Sequence, residues 1–258
     1  MKKVVLVLVL IQVLSGVQAQ EDSVHGRQET ANTISPHPKR WVKPMIAVGY
    51  AGATWLTYRY LDADIQKFSQ RNKGSLPTFV SRSVTKMGLG RTQTIALGAT
   101  ALTSLVVKDK KLQSAVIIWA GSLLLNSVVT DQLKTTFQRH RPNSGDPPYV
   151  FDWRHGPGIH TSFPSAHTSN IFTTATVFAT LYHDHRCVPP VAYGLATLVG
   201  LSRIYDNAHW ASDVMTGAAI GFLSAKSMTA IYKWAGKKIT FLPQASRHSA
   251  SLLLICQL

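Results

Sequence analysis

The chain is poor in acidic residues and in charge altogether. Asp and Glu number 12 against 27 Lys and Arg, and together these four types make up only 15% of 258 residues. That share is well below the one usual for soluble domains and is too low for a disordered chain. Cysteine is equally scarce. Cys187 and Cys256 are too few for a disulfide framework and lack metal-site spacing. They read as two unrelated thiols, with a pair formed in an oxidising compartment as the alternative. No basic-aromatic strand pattern or DNA-reading motif occurs, which argues against nucleic acid as a partner.

What is present is apolar and basic. Hydrophobic residues make up 45% of the chain, and the formal charge of +15 favours anionic partners such as an acidic membrane surface or phosphorylated substrates. The opening "MKKVVLVLVLIQVLSGVQAQ" pairs Lys2 and Lys3 with an apolar run from Val4 to Leu14 and then Val17-Gln18-Ala19. This is the plan of a secretory signal peptide over residues 1–19, and it implies export to the cell envelope. An uncleaved anchor is the alternative. Removing Lys2 and Lys3 takes the charge from +15 to +13, so the basic bias belongs to the mature chain.

Residues 20–43 are polar, contain Pro36 and Pro38, and read as a leader or linker. Apolar segments then recur at 44–61, 93–107, 112–130, 168–182, 190–204 and 214–233. Rich in Ala, Leu, Gly, Ser and Thr, they predict an all-α bundle of about six core helices over residues 44–238. The tail at 239–258 is apolar and β-prone at its ends, and no fold is assigned to it. Two settings stay open. A 15-residue helix at 93–107 spans about 22 Å, short of a hydrocarbon core of roughly 30 Å, and the mean hydropathy is only +0.05. Against that, alternating helices would gather Lys108, Lys110, Lys111, Arg186, Lys233, Lys237 and Lys238 at one end, with loops 131–167 and 204–213 at the other. In a membrane protein that is the positive-inside pattern.

Three stretches carry chemistry. In "KTTFQRHRP", Lys134 and Arg141 are seven apart, so two turns of one helix would turn both into one cavity suited to a tetrahedral oxyanion, with Pro142 ending the helix or turning the chain. A solvated basic helix end is the plainer reading of these residues. In "SFPSAHT", Ser165 is a candidate N-cap, and the free N–H groups after it form an anion site with His167 in the first turn. In "SRIYDNAHWASD", His209 and Asp213 are four apart; on one helical face the carboxylate would hold one imidazole nitrogen and leave the other bare. Arg203 precedes them, and Trp210 reads as packing.

Taken in order, K-x6-RP, PSxH and SR-x5-H-x3-D resemble the type 2 phosphatidic acid phosphatase (PAP2) superfamily, which includes bacterial acid phosphatases and vanadium haloperoxidases. The resemblance covers about residues 90–235. It implies that His209 is the nucleophile, oriented by Asp213, and that His167 is the general acid. It further implies that Lys134, Arg141, Ser165, Arg203 and the N–H of Ala166 bind phosphate oxygens, and that no metal cofactor is needed. Ala166 departs from the usual Gly, which matters only if φ there is positive. The implied activity is metal-independent hydrolysis of phosphate monoesters or pyrophosphates, with a lipid phosphate or small phosphorylated molecule as substrate and vanadate binding as a phosphate mimic. A soluble periplasmic acid phosphatase, a vanadate-dependent haloperoxidase and a non-enzymatic protein binding anionic lipid are the alternatives.

Overall fold

A computed structural model describes residues 42–155, 158, 160–246 and 249–256, and side chains through 236. The expected signal peptide and nearly all of the leader lie outside the described residues. Helix α1, Val42–Leu56, passes through one π-helical turn, Thr57–Leu61, into α2, Asp62–Arg71. Then follow α3 (Ser75–Thr85), α4 (Gly90–Val107), α5 (Lys110–Phe137), α6 (Ala166–Leu181), α7 (Val188–Tyr205) and α8 (Ala211–Lys238). The six apolar segments are thus helices in an all-α bundle. The helices α2 and α3 are additional, because their polar surfaces hide them from a search for apolar runs. A two-stranded antiparallel hairpin closes the described chain, β1 (Ile239–Ser246) against β2 (Ser249–Cys256), with Ile239 opposite Cys256. Cys187 is exposed and free.

The helices outrun the apolar segments that announced them. The 28 residues of α5 rise about 42 Å, because its polar last turns continue the backbone ladder past the apolar run. At its start Asp109 accepts from the backbone N–H groups of Lys111 and Leu112 at 2.8 and 3.2 Å, while Lys108, at φ 57°, ends α4. A tight αα-hairpin results.

The middle of the bundle is α6, whose Thr168, Ser169, Ile171, Phe172, Thr173, Ala175, Thr176, Val177 and Ala179 are all buried. Its hydroxyls satisfy themselves locally: Thr173 Oγ1 donates to Ser169 O at 2.8 Å, and Tyr193 OH reaches Thr176 Oγ1 at 3.2 Å. Small side chains let α8 come close. A Cβ on Gly217 would stand 2.5 Å from Ser165 O, and one on Gly221 would overlap Ser169 O, so this G-x-x-x-G pair sets the α6–α8 contact that carries the site.

Apolar side chains face outward as well as inward, and polar ones are buried. Leu102, Leu105 and Val106 on α4, Leu124 and Val128 on α5, and Leu223 and Trp234 on α8 are exposed, whereas Ser122, Asn126, Thr130, Thr173 and Thr176 are buried. Lys110–Phe137 and Ala211–Gly236 are each long and apolar enough to cross a membrane. Polarity is also sorted along the axis. Lys111 pairs with Asp184 at 3.4 Å and Tyr232 OH meets Ser114 Oγ at 3.0 Å, so the start of α5, the α6–α7 turn and the last turns of α8 share one end. The start of α6, the end of α7 and the start of α8 share the other.

Candidate active site

The second end collects the three sequence stretches. Helix α5 stops at Phe137, and Gln138, at φ 45°, turns the chain into an extended segment where Arg139 bridges to Phe151. Lys134 and Arg141 therefore do not share a helix, which corrects the two-turn expectation. Pro142 turns the chain, beginning a short 3-10 turn, Pro142–Ser144, after α5 has ended at Phe137. The two cations still converge: Lys134 Nζ donates to Thr161 O at 2.6 Å and Arg141 Nη2 to Thr161 Oγ1 at 3.3 Å.

Ser165 caps α6 from an extended conformation at φ −74°, with its hydroxyl 2.9 Å from Thr168 Oγ1 and 3.5 Å from Thr168 N. Ala166 is the first helical residue and is not among the residues with positive φ, so its methyl group costs nothing there. At the α7–α8 turn Arg203 O accepts from the backbone N–H groups of Ala208 and His209 at 3.1 and 3.3 Å, which ties the position of His209 to that of Arg203. Arg203 Nη1 donates to Thr85 Oγ1 at 2.9 Å and to Asp206 Oδ2 at 3.0 Å, while its buried Nε has no hydrogen-bond partner among the described residues.

His209 is buried, and its Nδ1 lies 2.7 Å from Ser162 O. A carbonyl can only accept, so Nδ1 carries the proton and Nε2 keeps its lone pair. The Asp213 carboxylate stands 3.8 Å from the same nitrogen, because His209 precedes α8 rather than sharing its helical face. Thus the direct acceptor is Ser162 O, and Asp213 acts at one remove. It takes Ser162 Oγ at 2.6 Å, Trp210 N at 3.0 Å and Arg139 Nη1 at 2.5 Å. Burial pushes the His209 imidazole down to about 4, with Lys134 and Arg141 acting the same way and Asp213 opposing. His167 is also pushed down to about 4, by burial first and then by Arg203, His209, Arg141 and Lys134, which places all five groups around one space.

Arg139 was passed over in the sequence as part of a basic helix end, yet it is only 1% exposed. Its Nη2 donates to Asp62 Oδ2 at 2.8 Å and Pro148 O at 2.6 Å, its Nη1 to Ser212 Oγ at 2.8 Å as well as Asp213, and its Nε to Pro148 O at 2.8 Å. Tyr58, Phe151 and Trp210 surround the guanidinium at 5.1, 5.4 and 5.6 Å. With every donor engaged it is not an anion ligand; it fixes Asp213 and, through its own carbonyl accepting Ser162 N at 3.0 Å, the loop that orients His209. Asp62, from α2, gave no signal in the sequence.

Two imidazoles, three cations and the N-termini of α6 and α8 gather at this end of the helical bundle, a combination of charge and N–H donors that suits an anion. Residues 115–237 match the model of the PAP2 superfamily. It is 48% identical over 63 residues to a lipid A 1-phosphatase of Porphyromonas gingivalis, covering 24% of this chain and 14% of the relative. A lipid A 1-phosphatase of Rhizobium etli is 30% identical over 119 residues, which are 43% of this chain and 50% of that protein. The chain therefore spans half or less of the length of these relatives. The crystal structure of a transmembrane PAP2 type phosphatidylglycerolphosphate phosphatase from Bacillus subtilis shares the fold, with a TM-score of 0.55 at 18% identity over 75% of this chain and 97% of that one.

Proposed function

We propose that this protein is a phosphatase of the cell envelope that hydrolyses lipid phosphate monoesters or pyrophosphates through a phosphohistidine, without a metal cofactor. The observation that carries the reading is the neutral His209 with Nε2 bare, placed among Lys134, Arg141 and Arg203. In the first step His209 Nε2 attacks phosphorus while the bond to the leaving oxygen breaks, and His167 gives that oxygen its proton. In the second, His167 takes a proton from water, whose oxygen attacks phosphorus and releases His209 and inorganic phosphate. Lys134, Arg141, Ser165, the Ala166 N–H and the spare Arg203 Nε hold the non-bridging oxygens, so the rate comes from positioning and charge stabilisation. Vanadate should inhibit by occupying the same cradle.

The lipid part of the reading rests on the apolar exterior and the names of the relatives. With α5 and α8 crossing the bilayer, Lys111, Arg186 and Lys233 fall at the end opposite the site, which directs the site to the outer, periplasmic side. The test is phosphate release by the purified, chelator-treated protein in detergent from lipid A 1-phosphate, phosphatidylglycerol phosphate, phosphatidic acid, an undecaprenyl pyrophosphate and a soluble aryl phosphate. Turnover should favour a lipid; equal rates on the aryl phosphate would instead favour a soluble acid phosphatase.

The two imidazoles set the pH dependence. His209 must be neutral to attack, and its depressed value keeps it so above about 4. His167 must be protonated to act as acid, and a bound phosphate dianion raises it from about 4 by offsetting the neighbouring cations. The same dianion raises His209, so the rate at saturating substrate should fall on the acid side at a pH above about 4 and fall again on the alkaline side, giving an acid-to-neutral optimum. A rate that climbs steadily into strong alkali contradicts this, and His167→Asn should remove the alkaline limb along with most of the activity.

A further inference from the structure

We propose that the loop between α5 and α6 carries a divalent metal site of the zinc type, formed by His140, Asp152 and His160, separate from the phosphate cradle. The ligating atoms of these three residues all lie within 4.8 Å of one another. His140 Nε2 is 3.1 Å from Asp152 Oδ1, and His160 Nε2 is 3.7 Å from Asp152 Oδ2. Donors about 2.1 Å from a tetrahedral ion stand about 3.4 Å from each other, so the spacing matches one ion shared by all three, with the fourth position left to water.

A second feature points the same way. His140 Nδ1 lies 2.7 Å from Asp146 Oδ2, so both nitrogens of this ring face carboxylates. Asp146 thus holds the nitrogen of His140 that the ion would not use, and this arrangement of carboxylate, imidazole and metal is the one by which an outer carboxylate orients a histidine ligand. Imidazole with carboxylate suits zinc better than magnesium or calcium. The rings of His140 and His160 stack with centroids 3.6 Å apart and 13° between their planes, so ligation by both requires one ring to turn about its side-chain bonds.

The backbone holds these ligands in place. His140 N donates to Val150 O at 3.1 Å, Asp152 N to Gln138 O at 3.2 Å, and Trp210 Nε1 to His140 O at 2.8 Å. An ion there would pin both ends of the loop whose Thr161 receives Lys134 and Arg141 and whose Ser162 O holds His209. Its role is to stiffen this loop, and the chemical step does not pass through it.

The experiment is titration of the chelator-stripped full chain with Zn²⁺ by calorimetry, alongside thermal unfolding with and without Zn²⁺. One ion should bind per chain and raise the unfolding temperature. His160→Gln should abolish both effects, and the more exposed Asp146→Asn should weaken binding ~10–100-fold while leaving the ligands intact. His183→Ala, at the far end, should leave binding unchanged. Absence of saturable binding, or binding that survives His160→Gln and ignores Asp146→Asn, would overturn the site; in that outcome a proton holds the ring pair instead.

Discussion

His209→Ala is expected to lower phosphate release on the order of 10⁴-fold or more while binding to vesicles of the substrate lipid changes only a few-fold. The asymmetry follows from the geometry. His209 is buried and supplies one bare nitrogen, whereas affinity for the headgroup comes from Lys134, Arg141, Arg203 and the α6 N-terminus, none of which depends on that ring. Rapid acid-free quenching of the parent should reveal an acid-labile, base-stable phosphoryl group on the protein, absent from the variant. Loss of turnover with binding retained excludes a protein that only binds anionic lipid. Unchanged turnover would remove His209 as nucleophile.

The second large effect is expected at a residue that never touches phosphate. Arg139→Met should destabilise the fold by about 3–5 kcal/mol, the cost of leaving buried carboxylates without their partner, and should abolish turnover even where the protein survives. Asp62 and Asp213 would then face each other across an apolar gap, each with a lost bond of 2.8 or 2.5 Å. Adding Asp62→Asn to Arg139→Met removes one of the two stranded charges and should restore part of the unfolding temperature, while activity stays low because Asp213 is still unheld. Thermal unfolding and steady-state rates on the two variants check this. An Arg139→Met protein as stable and active as the parent would show that the Asp62–Arg139–Asp213 chain is incidental.

The same network shows why some of the site could not be read from the chain. Asp62 and Arg139 are 77 positions apart, and Arg139 and Asp213 are 74 apart. No local pattern marks a pair brought together only when α2, the loop after α5 and α8 pack. Spacing also misled locally. A spacing of seven from Lys134 to Arg141 fits two helical turns, but α5 ends at Phe137, and the cations meet through Thr161 across a turn. A spacing of four from His209 to Asp213 fits one turn, yet the helix starts at Ala211, and the imidazole takes the Ser162 carbonyl instead.

The amino-acid sequence by itself determined which side chains could do chemistry. The imidazoles, the cations, the Ser165 cap and the six apolar helices are properties of residue type and local periodicity, which a chain carries before it folds. Tertiary structure alone decided the rest, because direction and burial depend on what packs against a residue. Packing through Gly217 and Gly221 set the α6 N-terminus beside α8, turned hydroxyls inward and apolar side chains outward, and buried Arg139 between two carboxylates. It also left "SRIYDNAHWASD" as a turn in which Arg203, His209 and Asp213 are held by three different partners.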